Sequence, residues 1–215
     1  MNLPRAIIFD MDGVMVDSEP LHERAFVEVI RKIGYADRLR LRFADYVGRP
    51  DQDLWLDFVA LHQPLQSATE LQAMKSRKLI EFIRLEQPLY PDLPELIADL
   101  AAHYRLGLAS GSERAVVKEV LALQGLGSFF AATATSSEVP AGKPRPDIFL
   151  RVASLLEIDS GDCWVIEDSK PGVAAARAAG MAVIAITNTH PAAELGAANH
   201  VVRTYKEIHR LLLPA

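Results

Sequence analysis

Short unbroken apolar runs alternate with stretches of helical periodicity over most of this chain. "RAIIF" (5–9), "RLGLAS" (105–110), "FAATATS" (130–136), "CWVIE" (163–167) and "AVIAIT" (182–187) are predicted strands. None shows clean two-residue alternation, which suits strands covered on both faces in a parallel sheet. The helical stretches between them carry start and stop signals. Asp92, with Glu95 three residues on, resembles a capping box ahead of Leu93, Leu96, Ile97, Leu100 and Ala101. Ser112 is placed to cap a helix with Val116, Val117, Val120 and Leu121 on one face, ended by Gly125 and Gly127. Ser169 is placed to cap "KPGVAAARAAG", whose alanines permit close packing on a sheet and whose Gly180 stops it. Alternation of this kind predicts a doubly wound α/β fold with a parallel sheet.

One region breaks the pattern. Between about residues 21 and 87 no strand is legible, and "LHERAFVEVIRKIG", "DQDLWLDFVALH" and "TELQAMKSRKLIEFIRLEQ" read as amphipathic helices. An all-helical domain (18–87) is therefore expected as an insertion after the first strand of a core formed by 1–17 and 88–215. Its joints fall near Asp17–Pro20 and in the proline-rich "QPLYPDLP". No repeats or low-complexity segments are present.

Composition narrows the classes of function. The chain has 215 residues, half of them apolar and 24% charged, with a net charge of −5 and no long run of one sign. That balance argues against nucleic acid or an anionic membrane as the main partner, and leaves room for a small anionic substrate. The first apolar run ends at Asp10, too early for a secretory leader, and nothing approaches the roughly 18 apolar residues of a membrane span. Cys163 is the single cysteine, so no internal disulfide can form, and it reads as a small buried hydrophobe. A cytoplasmic monomer is the expectation. Trp55 and Trp164 are expected in the core.

In open α/β sheets ligands bind beyond the carboxyl ends of the strands. There the sequence places Asp10 and Asp12 after the first strand, Ser110, Gly111 and Ser112 after the second, and Glu167 and Asp168 after the fourth. Lys143 lies in the connection "AGKPRPDIF". If these strands are neighbours, four carboxylates and one lysine converge. Two unit charges 4 Å apart repel by about 4 kcal/mol at an effective dielectric of 20. One lysine does not balance four acids, and a hard divalent ion with oxygen ligands, Mg²⁺, is the economical counter-charge. Ser110-Gly111-Ser112, at a strand end and a helix start, offers backbone N–H groups to an anion. A carboxylate can attack phosphorus, and a second acid can protonate the leaving oxygen and later deprotonate a water.

At these residues the sequence resembles the haloacid dehalogenase superfamily of phosphohydrolases. Its four motifs match in order: "FDMDG" (Asp10, Asp12), "ASGS" (Ser110), "GKPRP" (Lys143) and "VIEDSKPGVAAARAAGM" (Glu167, Asp168). The resemblance implies a Rossmann-like core with a helical cap inserted after the first strand. It implies Asp10 as nucleophile and Asp12 as acid/base. Mg²⁺ would be held by Asp10, the backbone carbonyl of Asp12, and Asp168, with Glu167 either a ligand or a partner of the ligands. "DMDGVMVDSEPLH" is similar to the β-phosphoglucomutase-like branch and its sugar-phosphate phosphatases. Dehalogenases proper lack the second aspartate. His22, twelve residues after the nucleophile, matches the mutases, whereas Val47 stands before Gly48 where they carry a lysine. His22 and Arg49 either meet the substrate's non-reacting part or serve the cap itself. The expectation is a Mg²⁺-dependent phosphatase of a small phosphorylated metabolite, a sugar or polyol phosphate. A sugar phosphomutase is the alternative, and a receiver-type phosphoacceptor domain or a non-catalytic binding protein are rivals of other classes.

Overall fold

The computed structural model describes residues 3–46 and 51–213. The chain divides into two compact units, one made of Met1–Asp17 with Leu89–Ala215, the other of Ser18–Pro88. The first unit is built on a six-stranded sheet: β1 (Ala6–Phe9), β2 (Arg105–Ser110), β3 (Phe130–Thr135), β4 (Cys163–Glu167), β5 (Ala182–Ile186) and β6 (His200–Val202). All pairings are parallel, in the order β3-β2-β1-β4-β5-β6. The doubly wound α/β class expected from the apolar runs is the observed one. Beta1 is buried along its whole length, and β2 is buried apart from Arg105, as required of central strands covered on both faces. The strand order switches direction between β1 and β4, which defines a crevice at their carboxyl ends. Beta6 escaped the sequence reading because three residues on the sheet edge carry too little pattern to register.

Helices α4 (Leu93–Ala101), α5 (Arg114–Ala122), α6 (Asp147–Leu156), α7 (Lys170–Ala178) and α8 (Tyr205–Leu212) surround this sheet; α6 and α8 had not been singled out. One face of the sheet packs Ile148, Phe149, Val152 and Leu156 of α6 and Val173, Ala175 and Ala176 of α7 into a continuous core. Gly107 in β2 is obligatory there, since a β-carbon would lie 2.4 Å from Val152 Cγ1. Cys163, Trp55 and Trp164 are all buried. Burial lifts the Cys163 thiol to about 11, which keeps it a small apolar group.

The capping expectations fare unequally. Ser169 caps α7 by accepting from Gly172 N at 3.2 Å. Asp92 makes no side-chain cap, because its own backbone is already helical and Pro94 removes the N–H it would have met. Glu113, not Ser112, is the N-cap of α5, which ends at Ala122, ahead of Gly125. The Ser112 hydroxyl is committed elsewhere, as described below.

The second unit holds α1 (Glu19–Lys32), α2 (Asp51–His62) and α3 (Ala68–Glu86), with short 3₁₀ turns at Ala36–Arg38 and Phe43–Tyr46 and no strand among the described residues. Phe26, Val29, Ile30, Leu54, Trp55, Phe58 and Leu71 form its core. Alpha3 starts with a complete capping box between Ser67 and Glu70. The unexpected feature is Lys75, fully buried on α3. Its ammonium bonds both oxygens of Asp51, at 2.5 and 2.6 Å, and lies 2.9 Å from His22 Nδ1. Removing one partner of a buried pair strands the other charge. Asp51→Ala is therefore expected to cost about 3 kcal/mol, because it strands the fully buried Lys75 ammonium beside His22 Nδ1. Lys75→Met should cost less, about 1 kcal/mol, since the Asp51 it leaves keeps 32% of its side chain open to water. Urea midpoints of the two variants provide the check; equal losses would show that the pair is not what matters.

Candidate active site

Beta1 ends at Phe9, and the Asp10 amide still donates to Ile166 O of β4 at 3.0 Å. This continuation of the ladder brings Asp10 beside the end of β4, where Glu167 and Asp168 follow. Carboxylate oxygens of Asp10, Glu167 and Asp168 lie within 4.8 Å of one another, and all three residues are buried. Lys143, on the connection between β3 and α6, reaches into the cluster. Its Nζ is 2.6 Å from Asp10 Oδ1 and 2.5 Å from Glu167 Oε1. The peptide bond between Lys143 and Pro144 is cis.

After Asp10 the chain makes a compact turn: the Met11 carbonyl accepts from the amides of Val14, Met15 and Val16. Gly13 takes φ +77 within it, and a β-carbon there would sit 2.0 Å from Asp168 Oδ2. Only glycine lets the turn close over the Asp168 carboxylate. Asp12 is held on the β2 side, where Ser112 Oγ donates to its Oδ2 at 2.8 Å. Ser110 is fully buried, and its hydroxyl oxygen accepts from Ser112 N at 3.0 Å. The structure thus brings together Asp10, Asp12, Ser110, Gly111, Ser112, Lys143, Glu167 and Asp168 in the first unit. Ser112, expected at an anion, lies within this group with its hydroxyl on Asp12 and its amide on Ser110 Oγ. His22 belongs to the second unit, beside Lys75. Arg49, Gly48 and Val47 lie outside the described residues.

Glu167 is the most firmly held of the acids. Its Oε2 accepts from Asp168 N (2.8 Å), Ser169 N (2.9 Å) and Ser169 Oγ (2.9 Å), and its Oε1 from Lys143. Gly172 makes room for it, as a β-carbon there would lie 1.7 Å from Oε1. The charges of the cluster respond to this crowding. Burial raises the Asp10 carboxyl to about 7 against the pull of Lys143, with Glu167 and Asp12 adding to the rise. Burial, then Glu167 and Asp10, raise Asp168 to about 8. Burial would also raise Glu167, but Lys143 and Ser169 hold it below the ordinary glutamate value. Burial would depress Lys143, but Asp10 and Glu167 keep its ammonium above the usual lysine range. A buried cluster of this kind lacks positive charge. Its donor set, three carboxylates, fits a hard divalent cation.

Sequence reasoning missed the loop after β5. Thr189 Oγ1 donates to Asp168 Oδ2, and Asn188 Nδ2 donates to the Gly13 carbonyl at 2.8 Å and to the Tyr205 hydroxyl at 2.9 Å. Tyr205 OH in turn donates to the Val14 carbonyl at 2.8 Å. The available signal was positional: residues 187–190 follow a predicted strand at the same sheet edge as the acids.

A doubly wound sheet with paired aspartates after its first strand and a lysine-bridged acid cluster after its fourth defines a class of hydrolase. Residues 4–180 match the model of the haloacid dehalogenase-like hydrolases, and the chain belongs to that family. Hexitol phosphatase B of Escherichia coli (strain K12) is 34% identical over 193 residues, covering 86% of each chain. Fructose-1-phosphate phosphatase YqaB of the same organism is 31% identical over 179 residues, covering 81% of this chain and 92% of its own. Beta-phosphoglucomutase of Bacillus subtilis is 30% identical over 195 residues, with 87% and 85% covered. Among solved structures, CbbY of Rhodobacter sphaeroides in complex with xylulose-(1,5)bisphosphate superposes with a TM-score of 0.86 at 23% identity, covering 95% of this chain and 96% of its own; at that identity the likeness concerns the fold. Among the described residues no helix is long and apolar enough to cross a membrane.

Proposed function

We propose that this protein is a Mg²⁺-dependent phosphatase that hydrolyses a sugar or polyol monophosphate through an aspartyl-phosphate. The observation that carries the reading is the contact of Lys143 with both Asp10 and Glu167 beside Asp168. It gives Asp10 and Glu167 a shared cation in a buried site, where charge is worth most. The phosphatase names of two relatives at 34% and 31% identity support the reaction type and the substrate class.

In the first step an Asp10 oxygen attacks phosphorus, the bond from phosphorus to the ester oxygen breaks, and the Asp12 carboxyl gives its proton to the departing alcohol. In the second step water attacks phosphorus, its proton passes to Asp12, and inorganic phosphate leaves as the Asp10 carboxylate is restored. Ser112 orients the Asp12 carboxyl through the bond to Oδ2. The Ser110 hydroxyl and the Gly111 amide, at the end of β2, would donate to the phosphoryl oxygens. Lys143 offsets charge on Asp10 and on the phosphoryl group. Mg²⁺ would be held by Asp10, Asp168 and the backbone carbonyl of Asp12, with Glu167 either a further ligand or a partner of the ligands, and it would supply charge neutralisation for the phosphoryl group.

A panel of hexitol and hexose monophosphates, with β-glucose 1-phosphate included, tests the reading. Inorganic phosphate should be released from at least one hexitol or hexose monophosphate with kcat/KM at or above about 10⁴ M⁻¹s⁻¹. Conversion of β-glucose 1-phosphate to the 6-phosphate without phosphate release would replace this reading with the phosphomutase one.

A further inference from the structure

The turn that carries Asp12 is tied down from outside, by side chains far along the chain. Within the turn, amides of residues 13 to 16 are used internally or on Met11 O. The carbonyls of Gly13 and Val14 are taken by Asn188 and Tyr205. The clamp is fully used: each hydrogen of the Asn188 amide has one acceptor, and the Tyr205 hydroxyl donates once and accepts once. Burial raises the Tyr205 pKa well above the ordinary tyrosine value, so its hydroxyl stays a donor. The two anchors stand on separate supports. Asn188 follows β5, next to Thr189 on Asp168, and Tyr205 opens α8 under the Thr204–Glu207 capping box.

We propose that Asn188 and Tyr205 are positioning residues that hold the Met11–Val16 turn, and with it the Asp12 carboxyl, in the place where a leaving oxygen must be protonated. This rests on the reading of Asp12 as the acid. Neither side chain touches the acids themselves; they act on the backbone one and two residues beyond Asp12. An acid must come within hydrogen-bond reach of the oxygen it protonates, and a displacement of about 1 Å costs on the order of 10²-fold. Ser112 holds the carboxyl, but it cannot fix the backbone from which the side chain projects.

The leaving-group dependence of kcat/KM distinguishes this role from a general loss of folded protein. Aryl phosphates whose phenols span a wide range of pKa are the probes, with Tyr205→Phe, Asn188→Ala and Asp12→Asn compared with the wild type. A good leaving group needs no proton, so a misplaced acid is felt by the poor ones. Tyr205→Phe and Asn188→Ala should lose about 10- to 100-fold more on phenyl phosphate than on 2,4-dinitrophenyl phosphate, with Asp12→Asn showing the same steepened slope. Tyr205→Phe removes one oxygen and keeps the ring that lies 5.9 Å from Tyr90, so it reports even if Asn188→Ala does not fold. A uniform loss across the series, or none, in a folded Tyr205→Phe protein overturns the positioning role if Asp12→Asn does steepen the slope. A slope unchanged in Asp12→Asn overturns the acid role of Asp12, and the proposal with it.

Discussion

Asp10→Asn is expected to abolish turnover of any phosphate monoester, with a loss in kcat on the order of 10⁴-fold or more. The amide has the shape of the carboxylate but neither its charge nor its nucleophilic oxygen. Its neighbour Lys143 would keep Glu167 as a partner at 2.5 Å, so the fold should survive and the loss should be chemical. The check is single-turnover trapping with labelled substrate: acid-quenched wild-type protein should carry hydroxylamine-sensitive label, and the variant none. Label on the variant, or activity within tenfold of wild type, sinks the assignment of Asp10. Asp12→Asn, in contrast, should still accept phosphate from an activated aryl phosphate and then release it slowly, because the second step lacks its base.

Removal of the divalent ion is the second large effect, and it has a readout in stability as well as in rate. Chelation should abolish activity, and Mg²⁺ should restore it. The ion binds the folded chain, so at a concentration of 100 Kd it should add about 2.7 kcal/mol, or on the order of 5 to 10 °C in Tm for a chain of this size. The size of the shift should depend on pH in a definite sense. Asp10 and Asp168 stand at about 7 and about 8 in the ion-free fold, above the value of 3.8 usual for aspartate. A folded-state value above the unfolded one gives stability that is complete below about pH 4 and is lost as pH rises through 7 and 8. Glu167 is shifted down and Lys143 up, so both remain charged across that window in either state and contribute no slope there. The ion-free protein should therefore melt progressively lower between pH 5 and pH 9, and the Mg²⁺ increment should be larger at pH 8.5 than at pH 5.5. An increment independent of pH would show that the ion does not displace these protons.

Much of the site was legible in the chain because the residues that matter end predicted strands. A continuous apolar run reads as a strand covered on both faces, and its last residue marks the sheet edge where ligands collect. Asp10, Ser110, Glu167 and Asp168 were found in that way. Lys143 was found by its motif, since the loop before α6 has no periodicity to place it. Asn188, Thr189 and Tyr205 were not found. Hydrogen bonds between residues 175 and 191 positions apart leave no mark on local pattern. Lys75 was hidden for the opposite reason, because a lysine on an amphipathic helix reads as solvated until Asp51 is seen to neutralise it.

By itself the sequence determined the parallel, doubly wound class of the core strands, the helical block that follows the first of them, and the placing of acids at strand ends. Those properties follow from periodicity and from where apolar runs stop. Tertiary structure alone decided how the acids divide their tasks. Asp10 shares its lysine with Glu167, Asp168 takes Thr189, and Asp12 takes Ser112. Such division depends on distances of a few ångströms between residues remote in the chain, and electrostatic and hydrogen-bond energies vary steeply over just that range.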